Sequence, residues 1–318
     1  MWRPERGLVG PDPATVRDIE PLNRLFTEAF TDRYARDGLA GVRVPALSHA
    51  VWRYAIEDAG AGAMLWRDAE GHLVAFNMAH RSGAEGWMGP IAVRPDRQGG
   101  GVGRVVVRAG VEWLRAQGAT VVGLETMPRT VDNIGFYSAL GFRPARLTVT
   151  MVRDAVRQPV RETERLSRGD VPRLVAECAA LARSAAPGLD FSAQLQLTLE
   201  HGVGDATLVR QDGRLAAFAL WHWAPLAANR PRDEGRVLKL VARDLRAFER
   251  LVDALQADAL AERLRRVAIR CQTAFGDAYA LLVQRGFRVH WTDLRMTLPT
   301  HPEQPVTGPA VVMSNWEI

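Results

Sequence analysis

The sequence predicts a mixed α/β fold, an α+β sheet covered by helices, that occurs twice in tandem. Three observations lead there. Between Met64 and Arg153, short β-branched runs alternate with stretches of helical periodicity, the pattern of a mixed sheet with crossover helices. Gly71-His-Leu-Val-Ala-Phe-Asn-Met-Ala-His80 returns 142 residues later as Gly213-Arg-Leu-Ala-Ala-Phe-Ala-Leu-Trp-His222; Gly141-Phe142 returns as Gly286-Phe287, and Asp18-Ile19 is echoed by Asp170-Val171. The length of 318 residues suits two domains of about 150 each. The expected division is 1–154 and 155–318, with the join near Asp154 to Gln158.

Thr15 and Asp18 have the spacing of a capping box, and Ile19, Leu22, Leu25, Phe26 and Phe30 follow at helical intervals. Gly38, Gly41 and Pro45 make the stretch from Asp32 to Ser48 irregular, and a second helix is predicted over His49 to Asp58. Met64 to Arg67 and Leu73 to His80 read as strands joined by a turn at Asp68 to Gly71. The strand from Trp87 to Val93 is stopped by Pro95 and Asp96, and Val105 to Gln117 returns to helical periodicity. Thr120 to Thr126 has the β-branched content of a buried strand, Asn133 to Leu140 is a helix ended by Gly141, and Arg146 to Arg153 is a closing strand. The segment Pro299 to Ile318 starts Pro-rich and becomes strand-like from Ala310, which predicts a last strand for one of the sheets.

The most specific chemistry lies between the strand ending at Val93 and the helix after it. Main-chain N–H groups at a helix N-terminus have no internal partner, and positions 99, 100, 101 and 103 carry no Cβ to keep an anion away. The predicted ligand is a pyrophosphate. The dinucleotide fingerprint fits badly, since its third glycine would fall on Arg104 or Val106, and no P-loop lysine follows.

Gln98-Gly-Gly-Gly101-Val-Gly103 resembles the Q/R-x-x-G-x-G/A signature of the GNAT superfamily of acyl-CoA N-acyltransferases. Asn133-Ile-Gly-Phe136-Tyr137-Ser-Ala-Leu140-Gly141-Phe142 resembles that family's N-x-x-F-Y-x-x-x-G-F segment, so the resemblance covers roughly residues 87 to 142. It implies acetyl-CoA as donor, with the pyrophosphate held by Gln98, Gly99, Gly100, Gly101, Val102, Gly103 and Arg104. It further implies that the strand amides of Ile91, Ala92 and Val93 face the thioester oxygen. Asn133 is expected to bond the pantetheine region or the loop, and Tyr137 to face the sulfur as general acid. Direct attack in a ternary complex is implied, and neither cysteine lies in a motif.

A base for the amine is expected in Glu125, on the strand after the glycine helix, or in Glu85, just before the central strand. Trp52, Tyr54, Glu57 and Asp58 fall in the region that lies over the acceptor pocket in this family. His80 and His222 recur symmetrically, which favours a structural role. Aligned through Val93 and Val241, Gly99, Gly101 and Gly103 fall on Ala247, Glu249 and Leu251; aligned through Gly141 and Gly286, Asn133 and Tyr137 fall on Ala278 and Leu282. Glu249 is then expected to put a carboxylate where phosphate would sit, making the second copy a degenerate one kept for packing and for shaping the acceptor cleft.

The functional expectation is an acetyl-CoA-dependent N-acetyltransferase acting on a small-molecule or peptide amine; the alternative is a tandem acyl-CoA sensor or scaffold without turnover. Nucleic acid is not expected as a partner despite the net charge of +5, because the basic residues are scattered among acids and no basic run exceeds two. No apolar run reaches membrane-spanning length, and the start at residues 1–6 does not have signal-peptide character. Cys178 and Cys271 stand alone, with no metal-ligand spacing, as reduced core thiols of a cytoplasmic protein.

Overall fold

The computed structural model describes residues 7–159, 163–305 and 307–316; the opening residues 1–6 and the last two positions of the strand-like tail lie outside them. The front half runs β1 (Val9–Pro13), α1 (Ile19–Arg36), α2 (His49–Ala59), β2 (Ala63–Arg67), β3 (Leu73–Ser82), β4 (Glu85–Val93), α3 (Val102–Ala116), β5 (Val121–Thr126), α4 (Val131–Ala139) and β6 (Arg143–Asp154). The rear half repeats the order: β7 (Thr163–Arg165), α5 (Val171–Ala185), α6 (Ser192–Glu200), β8 (Gly204–Gln211), β9 (Arg214–His222), β10 (Glu234–Ala242), α7 (Leu245–Ala261), β11 (Arg266–Gln272), α8 (Gly276–Gln284) and β12 (Arg288–Thr297). It adds β13 (Val311–Ser314).

The capping box forms as predicted, Thr15 and Asp18 capping a single 3-10 turn ahead of α1. Helix α1 runs on to Arg36 through a stretch expected to be irregular, because the ion pairs Arg36–Asp32 and Arg33–Asp37 hold its last turns. Strand β1, unannounced by its Gly- and Pro-rich sequence, is an edge strand on β2, where prolines are tolerated.

Helices cover both faces of each half. Leu22, Leu25 and Trp52 of α1 and α2 pack on Phe76 of β3, while Val107 and Leu114 of α3 pack on Met88 and Val122 on the opposite face. The rear half does the same, with Leu174 and Leu195 of α5 and α6 on Phe218, and Phe248 and Leu251 of α7 on Leu240 and Ile269. Among the described residues no helix is long and apolar enough to cross a membrane.

The halves share one 13-stranded sheet in the order β1-β2-β3-β4-β5-β12-β6-β11-β10-β9-β8-β7, with β13 paired to β10 off this path. Their closing strands are exchanged: β12 of the rear half pairs with β5, and β6 of the front half pairs with β11. β12 also pairs with β6, so three strand pairings cross the division expected at residue 154.

Within each half the central parallel pair separates. Strand β4 pairs with β5 only from Glu85 to Met88, and beyond that its β5-side edge has no strand partner among the described residues. The equivalent β10 pairs with β11 only from Glu234 to Val237, but there the predicted last strand, β13, takes the open edge along Lys239 to Ala242. One gap is left open and its twin is filled by the chain itself.

Candidate active site

Strand β4 ends at Val93, and eight residues, 94–101, lead into α3. Gly101, the N-cap, has φ +93°, a left-handed conformation that a side chain rarely adopts, and it brings no side-chain cap. The amides of residues 99–103 find no acceptor with good geometry among the described residues. That is a cradle of main-chain donors at the positive end of a 15-residue helix, and it fits a pyrophosphate in both charge and form. Arg104, in the first turn of α3, has no ion pair among the described residues. The Gln98 side chain bolts the turn in place, donating to Val93 O at 2.9 Å and accepting from Arg36 at 3.2 Å.

The second motif abuts the first. A Cβ at Gly103 would stand 3.2 Å from the Phe136 ring, so the glycine lets α4 close on the start of α3. The end of α1 binds the same corner, with Arg33 reaching Asp132 at 3.0 Å and Thr130 donating to Asp37 at 2.6 Å. Tyr137 follows Phe136, half-buried against Phe136 and Phe142, and its hydroxyl has no partner among the described residues. Burial pushes its pKa up to about 12, which keeps the phenol protonated. Asn133 lies at the third position of α4, whose N-cap is Thr130, so it does not cap the helix.

Ile91, Ala92 and Val93 form the part of β4 beyond Met88, held by β3 on one side only. In such a strand alternate amides point toward the open edge.

Glu125, expected as the base, is in a different situation. Its side chain is 1% exposed, and its two oxygens are taken by Arg270 at 2.5 Å, Arg295 at 3.0 Å and Thr148 at 2.5 Å. The two guanidiniums hold its pKa below the usual carboxylate range against the effect of burial, so it is a poor proton acceptor. Glu85 is half-buried and accepts from the Ser314 hydroxyl, with no ion pair among the described residues.

Three of the four residues expected to shape an acceptor pocket instead join the halves. Asp58 bonds His80 at 2.7 Å and Gln194 of α6 at 2.8 Å; Glu57 pairs with His201 at 2.7 Å, and Tyr54 packs on His222. Trp52 is core, donating to Asn23. His80 and His222 are both fully enclosed in this joint, the latter bonded to Thr198.

The rear copy is closed, but not through Glu249. Only Arg243 and Asp244 separate β10 from α7, so the cradle loop is missing rather than filled, and alignment through Val241 does not hold beyond the strand end. The Asp244 carboxylate caps α7 by accepting from the Ala247 amide at 2.8 Å, whereas Glu249 pairs with Arg285 at 2.6 Å on the surface. The rear half also lends the front site residues the sequence reading did not single out. Trp316 lies against Gly123, where a Cβ would come within 2.3 Å of its ring, and Arg295 stacks on that ring at 3.6 Å. Cys178 and Cys271 are buried and free, with thiols raised by burial and unsuited to nucleophilic work.

Residues 21–142 match the Acetyltransferase (GNAT) family. The matched residues take in both the glycine turn after β4 and helix α4. Over 140 residues, 43% of the chain, the protein is 32% identical to serotonin N-acetyltransferase 2, chloroplastic, of Oryza sativa subsp. japonica, and the match spans 62% of that relative's length. Solved structures extend the likeness of fold to nearly the whole chain. A putative acetyltransferase of Pyrococcus horikoshii has a TM-score of 0.67 at 17% identity, covering 95% of this chain and 93% of its own. A tandem GNAT protein from the clavulanic acid biosynthesis pathway has 0.61 at 13%, covering 93% and 99%. N-myristoyltransferase of Saccharomyces cerevisiae, solved with myristoyl-CoA, has 0.65 at 12%, covering 95% and 79%. The fold is thus that of a tandem GNAT, one mixed α/β sheet built from two GNAT-like halves.

Proposed function

We propose that the chain is an N-acetyltransferase that takes its acetyl group from acetyl-CoA in the front half and passes it to an amine. The contrast between the two halves carries this reading: the front half pairs a bare donor cradle with an open strand edge, and the rear half has lost the cradle and filled the edge. Residues 99–103 would hold the diphosphate through their amides, with Arg104 adding charge. The carrier supplies an acetyl thioester, whose carbonyl carbon the acceptor nitrogen attacks as the C–S bond breaks. The open-edge amides of Ile91 to Val93 stabilise the developing oxyanion. Tyr137 Oη gives its proton to the departing sulfur, and the proton released by the amine passes to solvent; Glu85, six residues before Ile91 on the same strand and roughly 16–20 Å from it at about 3.3 Å per residue, is out of reach. Glu125 is given no part in proton transfer, since its lone pairs are engaged by two arginines.

The rice relative's name supports an aromatic amine as the first acceptor to try. The test is release of coenzyme A thiol from acetyl-CoA with a panel of arylalkylamines, amino acids, polyamines and peptides. At least one amine is expected to be acetylated, and Tyr137→Phe is expected to lower kcat by about 10²-fold while leaving carrier binding intact. Carrier binding with no turnover on any amine would favour the sensor reading instead.

A further inference from the structure

The exchanged strand β12 runs past the end of its neighbour. It pairs with β5 only from Leu294 to Thr297, while its pairing with β6 continues back to Arg288, so residues 288–293 have a free edge toward the front half among the described residues. That edge faces the open edge of β4 across the end of β5. Register places the two at one level. Met88 is opposite Leu124 and Leu294 is opposite Thr126, so Asp293 to Trp291 stand level with Ile91 to Val93. Two strand spacings, about 10 Å before the strands diverge, separate them.

Trp291 stands on this free edge, 38% exposed. Its indole Nε1 donates to Asp293 Oδ1 at 3.1 Å, and the other oxygen of that carboxylate lies 3.1 Å from Arg270, which also holds Glu125. Leu124 packs with Val107 of α3, so Glu125 and the groups joined to it lie on the opposite face of the sheet, away from the helix that carries the donor cradle. An indole tied by its N–H to an anchored carboxylate has only its flat ring left to offer. The rear half has the same place covered. The offset of 145 that carries Phe142 to Phe287 carries Arg146 to Trp291. Arg146 pairs with Glu303 at 3.3 Å and donates to Gln304 O at 3.4 Å, so the chain's own segment after β12 lies against it.

We propose that Trp291, lent to the front site by the exchanged strand, selects the acceptor by stacking on a flat aromatic ring whose amine reaches the thioester, and that Asp293 is the positioning residue that fixes the indole. This rests on the acyl-transfer reading above. The indole spans part of the distance between the two edges, and a ring joined to its amine by a short chain spans the rest. A polyamine is disfavoured at this place, since Arg288 is exposed on the same edge and a second cation would meet like charge there. Carrier and acceptor approach from opposite faces of the sheet, and no bond forms or breaks at Trp291.

Protein labelled with 5-fluorotryptophan reports on the ring without turnover, the Trp291 resonance being identified by its loss in Trp291→Phe. With coenzyme A present, an arylalkylamine is expected to move that resonance, and a straight-chain amine of similar length is not. In kinetics, Trp291→Ala should raise KM for arylalkylamines about three- to tenfold, with KM for acetyl-CoA and for the straight-chain amine unchanged. Trp291→Phe keeps a ring and should recover most of the loss. Asp293→Leu should raise the same KM with kcat little changed, whereas Asp293→Asn, which keeps an oxygen for the indole N–H, should behave like wild type. Arylalkylamines acetylated with an unchanged KM by Trp291→Ala, a Trp291 resonance that none of them moves, or turnover confined to amines without a ring would overturn the proposal. A resonance that moves as expected in a protein that acetylates no amine would leave the ring site standing and remove the acyl-transfer reading.

Discussion

The carboxylate of Glu125 stands between Arg270 and Arg295, and removing it would leave two buried guanidiniums without their counter-charge. Glu125→Gln is therefore expected to cost about 3–5 kcal/mol, read as a fall in the denaturation midpoint. The sign of its pH dependence follows from the depressed pKa. Stability from this carboxylate is fully present above its ordinary value near 4.5 and is lost as pH falls below that through the lower folded value. Wild type should weaken steeply in that acid range, and the variant less so. At this scale the sequence shows residue types but not partners. Glu125 lies on the strand the motifs indicate, yet the arginines that occupy it come from 145 and 170 positions downstream, and no local pattern announces them.

The two crossover helices that follow β4 and β10 differ in how they begin. Helix α7 is closed by its own Asp244, so Asp244→Ala should cost about 1 kcal/mol in stability. The variant should still bind no carrier in the rear half, because a two-residue connection cannot wrap a diphosphate and β13 holds the neighbouring edge. Calorimetry on that variant should show the same number of sites as wild type. The glycines of 99–103 were legible because a left-handed N-cap and a missing Cβ are properties of residue type. The shortened rear loop was not, since register carried past a strand end has nothing to anchor it, and the carboxylate there belongs to Asp244 rather than Glu249.

Across the whole molecule the repeat was plain in sequence, but the exchange of closing strands was not, because neighbouring strands with similar patterns can pair within or between copies. With β12 on β5 and β6 on β11, each half completes the other's sheet. A fragment of residues 1–154 would expose the β5 edge from Gly123 to Thr126 and strip Glu125 of both arginines. It is expected to give no cooperative thermal transition and no carrier binding, whereas the full chain gives both; a fragment that melts cooperatively and binds would show the halves to be independent.

The central claim is that one cradle works and its twin is closed, and titration calorimetry of coenzyme A into the full chain measures it directly. The account predicts one saturable site per chain, abolished in Gly101→Glu, where a side chain and its negative charge enter the donor cradle. No binding in wild type, two sites per chain, or undiminished binding in Gly101→Glu would contradict it.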